Sequence, residues 1–321
     1  MAFKAPSPTP KGLWRRTPPA VFPPTLGLLG LALGWRRGMG EFALPPGLAD
    51  MLLGAVTLFA LFALLTYAVK FMRRPAVVLE DLKILPGRAG LATLVLSVYL
   101  LAAVFAPLSP EQARPILLAG IVMHLALTGA VIWGFAHGPA EQRRVSPVWH
   151  LMFTGWIVAA NSALALGLFN LAIGLFWVSL FAAVGIWTAS LQQFSRESVP
   201  APLRPFLAIH LAPVALLGSA AQSLGAQGIA QVFAIGALML VVLFGLRIRW
   251  LLAGGFTPFW GAFTFPLAAT ANFWLLMGGF WRLPGAVMLV GATVLILPIA
   301  FRIFKLWANG QLAVKSNAAI A

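Results

Sequence analysis

Apolar stretches close to twenty residues long recur from end to end of this chain, and that recurrence excludes most folds at once. A bilayer core about 30 Å thick is crossed by roughly 20 residues of α-helix rising 1.5 Å each. Ten such segments can be read, at about 20–35, 48–69, 88–106, 114–135, 147–166, 168–189, 203–223, 228–250, 256–278 and 284–306. Of the 321 residues, 61% are apolar and 9% charged, too few charges to clothe a chain of this length in a polar shell. Connections are short and marked by Pro or Gly, as at Pro45-Pro46-Gly47 and Gly138-Pro139, and none could hold a soluble domain. The expected organisation is a tail over 1–19, a ten-helix membrane domain over 20–306 and a second tail over 307–321. Met1 to Pro19 is basic and proline-rich without an apolar core, so no cleavable signal peptide is expected.

The net charge of +15 suggests nucleic acid at first sight, but its distribution argues for topology. With the amino terminus inside, one side carries 18 basic residues and the other only Arg36, Arg37, Arg114 and Arg282. That split is the positive-inside rule, and it places both termini in the cytoplasm of a multi-pass protein of the cell membrane. The basic excess is then a topology signal with some attraction to anionic lipid, and no nucleic-acid partner is expected.

Prolines separate odd segments from even ones. Pro23 and Pro24, Pro213 and Pro266 lie inside segments 1, 7 and 9, while segments 2, 4, 6 and 8 have none inside and only segment 10, with Pro298, breaks the pattern. A membrane proline frees a carbonyl, which is tolerated where neighbours or a water-filled cavity satisfy it. The reading is of kinked inner helices, with kinks at Pro24, Pro213 and Pro266, alternating with straighter outer ones. Prolines are also simply frequent in membrane helices, so the pattern has a plain alternative. Five two-helix units would produce it, although no strict sequence repeat is visible.

Absences limit the chemistry. All seven acids fall in loops or at helix ends, and no charged residue sits in the middle of a segment. Ion-coupled carriers and proton pumps usually keep an ionisable group at mid-membrane. There is no acidic cluster for magnesium, no Gly-rich nucleotide loop, no His pair at metal spacing, and no cysteine. An enzyme is not expected, nor any cofactor or metal. A pathway built from neutral groups in a positively biased chain would favour anions.

His124, His150 and His210 lie within segments, and the plain reading is of hydrogen-bonded packing groups. A pore-lining or pH-sensing role for His210, and axial haem ligation by His124 with His210, are the alternatives. Asn161, Asn170, Gln222, Gln231 and Asn272 read as interhelical glue, and Trp35, Trp133, Trp250, Trp260, Trp281 and Trp307 as interfacial belts. The most distinctive segment is the ninth, where Phe265 stands about ten residues in, directly before Pro266 and after Thr264. A bulky apolar ring at a bent midpoint can close a narrow pore by blockage or dewetting, although ordinary packing against lipid or neighbours fits equally well.

The stretch Phe259-Trp260-Gly261-Ala262-Phe263-Thr264-Phe265-Pro266, continuing to Asn272, resembles the aromatic-Thr/Ser-Phe-Pro/Gly motif of a known family. Phe22, Gly27-Leu28, Leu31 and Trp35 are similar to its opening pattern, Pro86-Gly87-Arg88 to the motif before its third helix, and His210 to Ala220 to its Leu-Ala-Pro motif. The family is that of the tellurite-resistance and four-carbon-dicarboxylate transporters, which includes the plant slow anion channels, within the voltage-dependent anion channel superfamily. The resemblance implies five helical hairpins in a quasi-five-fold ring around a pore lined by odd helices, assembled as homotrimers. It maps the gate onto Phe265 and leaves Thr264 as a possible pore-lining residue. It implies passage of small anions through a channel, or, alternatively, secondary export of dicarboxylate, sulfite or tellurium oxyanions. Segments 3 and 5 depart from the family's pattern in lacking an interior proline.

Overall fold

A computed structural model describes residues 12–321, and in these residues the protein is helical with no strand. The first eleven residues of the expected tail, with Lys4 and Lys11, lie outside the described residues. Ten α-helices have ten or more residues: α1 Phe22–Glu41, α2 Gly47–Arg73, α3 Leu85–Phe105, α4 Pro110–His137, α5 Trp156–Ala165, α6 Phe169–Phe194, α7 Leu211–Ser223, α8 Gln227–Leu246, α9 Gly261–Met277 and α10 Arg282–Ala308. Seven helical stretches are long and apolar enough to cross a membrane: α2, α3, α4, α6, α8, the stretch formed by a 3-10 turn over 201–210 with α7, and α10 with the turn before it. The remaining three fall short for visible reasons. Arg36, Arg37 and Glu41 charge the far end of α1, a π turn His150–Thr154 precedes α5, and α9 has 17 residues.

Local signals explain the ends. Pro at the start of α1, α3 and α4 costs no hydrogen bond, because the first N–H groups of a helix have no intrahelical acceptor. Asp50 sits in the first turn of α2, and Lys70 and Arg73 in its last, each complementing the helix dipole. The α5–α6 and α7–α8 turns are built alike. Gly167 and Gly225 take φ of +71° and +80°, and Leu168 N–H and Ala226 N–H reach back five residues to Ala163 O and Ala221 O, both at 2.9 Å. Only glycine enters that left-handed region without penalty, and the bonds satisfy the last carbonyls of α5 and α7.

Packing divides the helices into two sets. Each of α1, α3, α5, α7 and α9 contacts its sequence partner α2, α4, α6, α8 or α10, touches the next odd helix, and α9 returns to α1. The most apolar windows of α3 and of the α7 stretch are 83% buried, whereas those of α2, α4, α6, α8 and α10 are 17–33% buried. Leu58, Leu125, Phe181, Met239 and Val294, one from each outer helix, project outward. In lipid such surface is at home, and the inner contacts rest on close packing and hydrogen bonds.

The tightest inner contact is α1 on α9. Glycines at 27, 30 and 34 of α1 meet Thr264, Phe265 and Asn272 of α9 in turn, and Gly38 meets Leu289 of α10. Thr264 Oγ1 donates to Pro23 O at 3.0 Å and Asn272 Nδ2 to Gly30 O at 2.8 Å, so the two backbones are also bonded across the seam. Gly90 does the same for α3: a Cβ there would come within 2.3 Å of Pro19, which the entering chain lays against it.

One end of the molecule is closed by a buried charge cluster. Lys70 Nζ donates to Asp81 Oδ2 at 2.9 Å and to Thr17 O at 3.0 Å, with both charged side chains fully buried. Tyr67 Oη donates to the same carboxylate, and Ala319 N–H donates to its other oxygen at 2.8 Å. Beside it, Arg74 forms a two-pronged pair with Glu80 and donates to Ile320 O, while Arg15 and Ala321 exchange two hydrogen bonds. Residues 12–17 and 316–321 thus meet on one face. The Arg74 guanidinium holds the Glu80 carboxyl below its usual range.

Candidate functional site

A narrow cavity lies where the starts of the five inner helices converge. Its wall takes Ala20, Pro23 and Leu26 from the entry to α1, and Pro86, Ala89 and Thr93 from α3. Leu151 comes from the π turn before α5, and Phe206, Ile209 and Ala212 from the entry to α7. Pro258, Phe259, Gly261, Ala262, Phe265 and Pro266 come from the entry to α9. Its volume is about 30 Å³, room for a water or two.

No ionisable side chain belongs to this wall, and its one hydroxyl, on Thr93, is spent on Ala89 O and Gly90 O of its own helix. What electrostatic character the cavity has comes from backbone. The helical runs that lead into α1, α3 and α9 begin beside it, at Pro19, Leu85 and Pro258, and each helix start carries the equivalent of about half a positive charge. Their sum around an otherwise apolar space favours a negative guest.

Phe265 lines the cavity and is 5% exposed. Its ring rests in the slot left by Gly30 of α1. Pro266 is inside α9 and cannot donate to the carbonyl of Ala262, another wall residue, so the helix is weakened beside the ring. The other two prolines expected at kinks lie nearer the beginnings of their α-helices. Pro24 is in the first turn of α1, just after a 3-10 turn over 19–21, and Pro213 lies three residues into α7, inside the continuous helical run 201–223 and just past the point where its 3-10 part gives way to α-helix. The even helices are not free of prolines either, because α4 begins at Pro110 and takes Pro115 inside.

Thr264 is fully buried against α1 and its hydroxyl also donates to Gly261 O, so the structure places it in the helix seam and not in the cavity wall. His210 likewise faces elsewhere. Its Nδ1 lies 3.0 Å from His150 Nε2, and the ring borders an outer groove between α6 and α8. The expectation of no histidine pair was made on spacing along the chain; 60 residues separate these two, and the fold brings them together. His124 bonds through both nitrogens, to Tyr99 Oη at 3.1 Å and Met152 O at 2.7 Å, and stacks on Trp156. It ties α4 to α3 and to the π turn, and neither nitrogen is left for a haem iron.

Phe206 and Phe259, whose rings stand 4.9 Å apart, belong to the wall and were not singled out from sequence. Phe259 opens the distinctive ninth stretch, and Phe206 follows Pro205 directly, which is the signal that marks both.

The sequence model described as Voltage-dependent anion channel matches residues 16–304, about nine-tenths of the chain. No curated protein matches the chain. The chain belongs to that family, whose members carry anions across membranes as channels or transporters and are not enzymes.

Proposed function

We propose that this member of the family is a gated anion channel whose ten helices all cross the membrane as five hairpins, arranged in a quasi-five-fold ring. Its pore runs through the cavity between α1, α3, α5, α7 and α9, closed by Phe265. The observation that carries this reading is the cavity itself: an apolar space without a carboxylate, bordered by three helix N-termini, with a phenylalanine in its wall next to a helix-interior proline. At about 30 Å³ it holds no hydrated anion, which fits a closed state. Small monovalent anions suit it best, because nothing in the wall offers a bidentate grip on a dicarboxylate. The meeting of residues 12–17 with 316–321 on one face supports an even number of crossings, and the basic bias supports a cytoplasmic position for that face, in the cell membrane. The homotrimer rests on the resemblance to the family.

Coupled export would need a titratable group on the pathway. His210 was the candidate, and it borders the outer groove. Reconstituted protein should therefore pass anions in either direction without a proton requirement, at a low rate that rises severalfold or more in Phe265→Ala. Unchanged flux in that variant, or cation selectivity, overturns the reading.

A further inference from the structure

The pairing of His150 with His210 has a third member and an open end. His150 Nδ1 lies 3.2 Å from Thr154 Oγ1, and His150 Nε2 lies 3.0 Å from His210 Nδ1. Thr154 Oγ1 makes no other hydrogen bond among the described residues, so its proton is used only if it donates to His150 Nδ1. His150 Nε2–H then donates to His210 Nδ1, and the remaining proton sits on His210 Nε2. That atom is buried without a partner, on a residue 8% exposed, and so is Ser190 Oγ of α6, on a residue 3% exposed. Both residues line the same groove, about 910 Å³ in volume, between α6 and α8 over α7. Two buried, unpartnered donors on residues that line one space call for acceptor oxygens beside them.

The rest of the groove says what carries those oxygens. Its wall along α8 is apolar from Val232 through Met239 to Leu243, and it ends at Arg247, which has no acidic partner among the described residues. Val232 to Arg247 spans about 22 Å at 1.5 Å per residue, against about 15 Å for half a bilayer core. The donors lie near the Arg247 end, because the His210 ring stands 6.1 Å from that of Phe194, the last residue of α6. Glu197, also at this end, is paired with Arg144. A helix from a second copy would bring an apolar surface but no spare acceptors, since its carbonyls are used internally.

We propose that this groove is a binding site for one anionic phospholipid of the leaflet on the Arg247 side. An acyl chain lies along α8, ester oxygens accept from Ser190 and His210, and the phosphate rests against Arg247. The site is separate from the central cavity and stands whether or not that cavity conducts.

Native mass spectrometry of the full chain in detergent, titrated with phosphatidylglycerol and with phosphatidylcholine, tests it. One phosphatidylglycerol per chain should be retained about tenfold more strongly than phosphatidylcholine. Arg247→Gln should remove that preference, and Gly236→Trp, which fills the groove, should remove the adduct. Because a variant can fail to fold, unmodified protein in mixed vesicles is also labelled with phosphatidylglycerol carrying a photoreactive acyl chain. Label concentrated at Leu191, Met239 and Leu243 supports the site. Label spread evenly over α2, α4 and α10, equal labelling by phosphatidylcholine, competition by free oleate as strong as by phosphatidylglycerol, or a second copy crosslinked across the groove in place of lipid, each overturns it.

Discussion

Gly30 of α1 leaves the slot that Phe265 of α9 occupies: a Cβ at position 30 would lie 3.2 Å from the ring's Cδ2 and 3.3 Å from Cε2. The ring is thus held between a helix backbone and the central cavity. Gly30→Ala should press it toward the cavity and lower anion flux below that of the unaltered protein, while Phe265→Ala raises it. Liposome flux measured on both variants checks the opposed signs. Equal effects in one direction would show that the ring does not stand between them.

Position 27 is stricter. A Cβ there would come 2.3 Å from both Cβ and Oγ1 of Thr264 and 3.0 Å from that residue's backbone carbon. Gly27→Ala should therefore abolish recoverable folded protein. Thr264→Val, which keeps the shape and loses the hydrogen bonds to Pro23 O and Gly261 O, should cost only about 1 kcal/mol. Expression yield and thermal unfolding in detergent separate the two.

Lys70 and Asp81 are both fully buried and joined at 2.9 Å. Removing one partner strands the other, so Lys70→Met or Asp81→Asn should each destabilise the fold by about 3–5 kcal/mol. Lys70→Met combined with Asp81→Asn should cost less than the sum of the two single changes. Chemical unfolding of the three variants gives the coupling directly.

Glu80 titrates with its carboxyl held low by Arg74. A depressed folded value means that the pair contributes fully above the carboxyl's unfolded value of 4.5. The contribution is lost as pH falls through the lower folded value. Arg74 also holds Ile320 O, so residues 316–321 should become protease-sensitive on acidification below that range, and at neutral pH in Arg74→Gln. Mass mapping of limited digests follows the release. No change in either condition would show that Asp81 and Arg15 suffice to hold the segment.

Hydropathy alone carried the helical reading, because twenty apolar residues have few ways to hide their backbone in lipid. It drew α5 as one segment over 147–166, since apolarity does not distinguish an α turn from the π turn His150–Thr154. Proline positions accompany helix starts as well as helix interiors, with Pro24 in the first turn of α1 and Pro213 just past the change from 3-10 to α-helix within 201–223. Phe265 was legible through Pro266 beside it, whereas the cavity wall around it draws on five separate stretches that only folding assembles. The pairing of His150 with His210 was hidden for the same reason. The Leu-Gly turns at 166–167 and 224–225 were a readable trace of similar hairpins, two residues long and therefore easily passed over.

The return of α9 to α1, together with the bonds between Arg15 and Ala321, makes the path of this chain a loop closed by contacts where a peptide bond is missing. A closed loop can be cut anywhere that a cut is cheap. Joining residue 321 to residue 12 by a short linker and opening the exposed turn at Ala140–Arg143 should give a circular permutant with the same seams, beginning at α5 and ending at α4. In such a molecule the α1–α9 seam, made last as a nascent chain emerges in the natural order, would be made midway through synthesis.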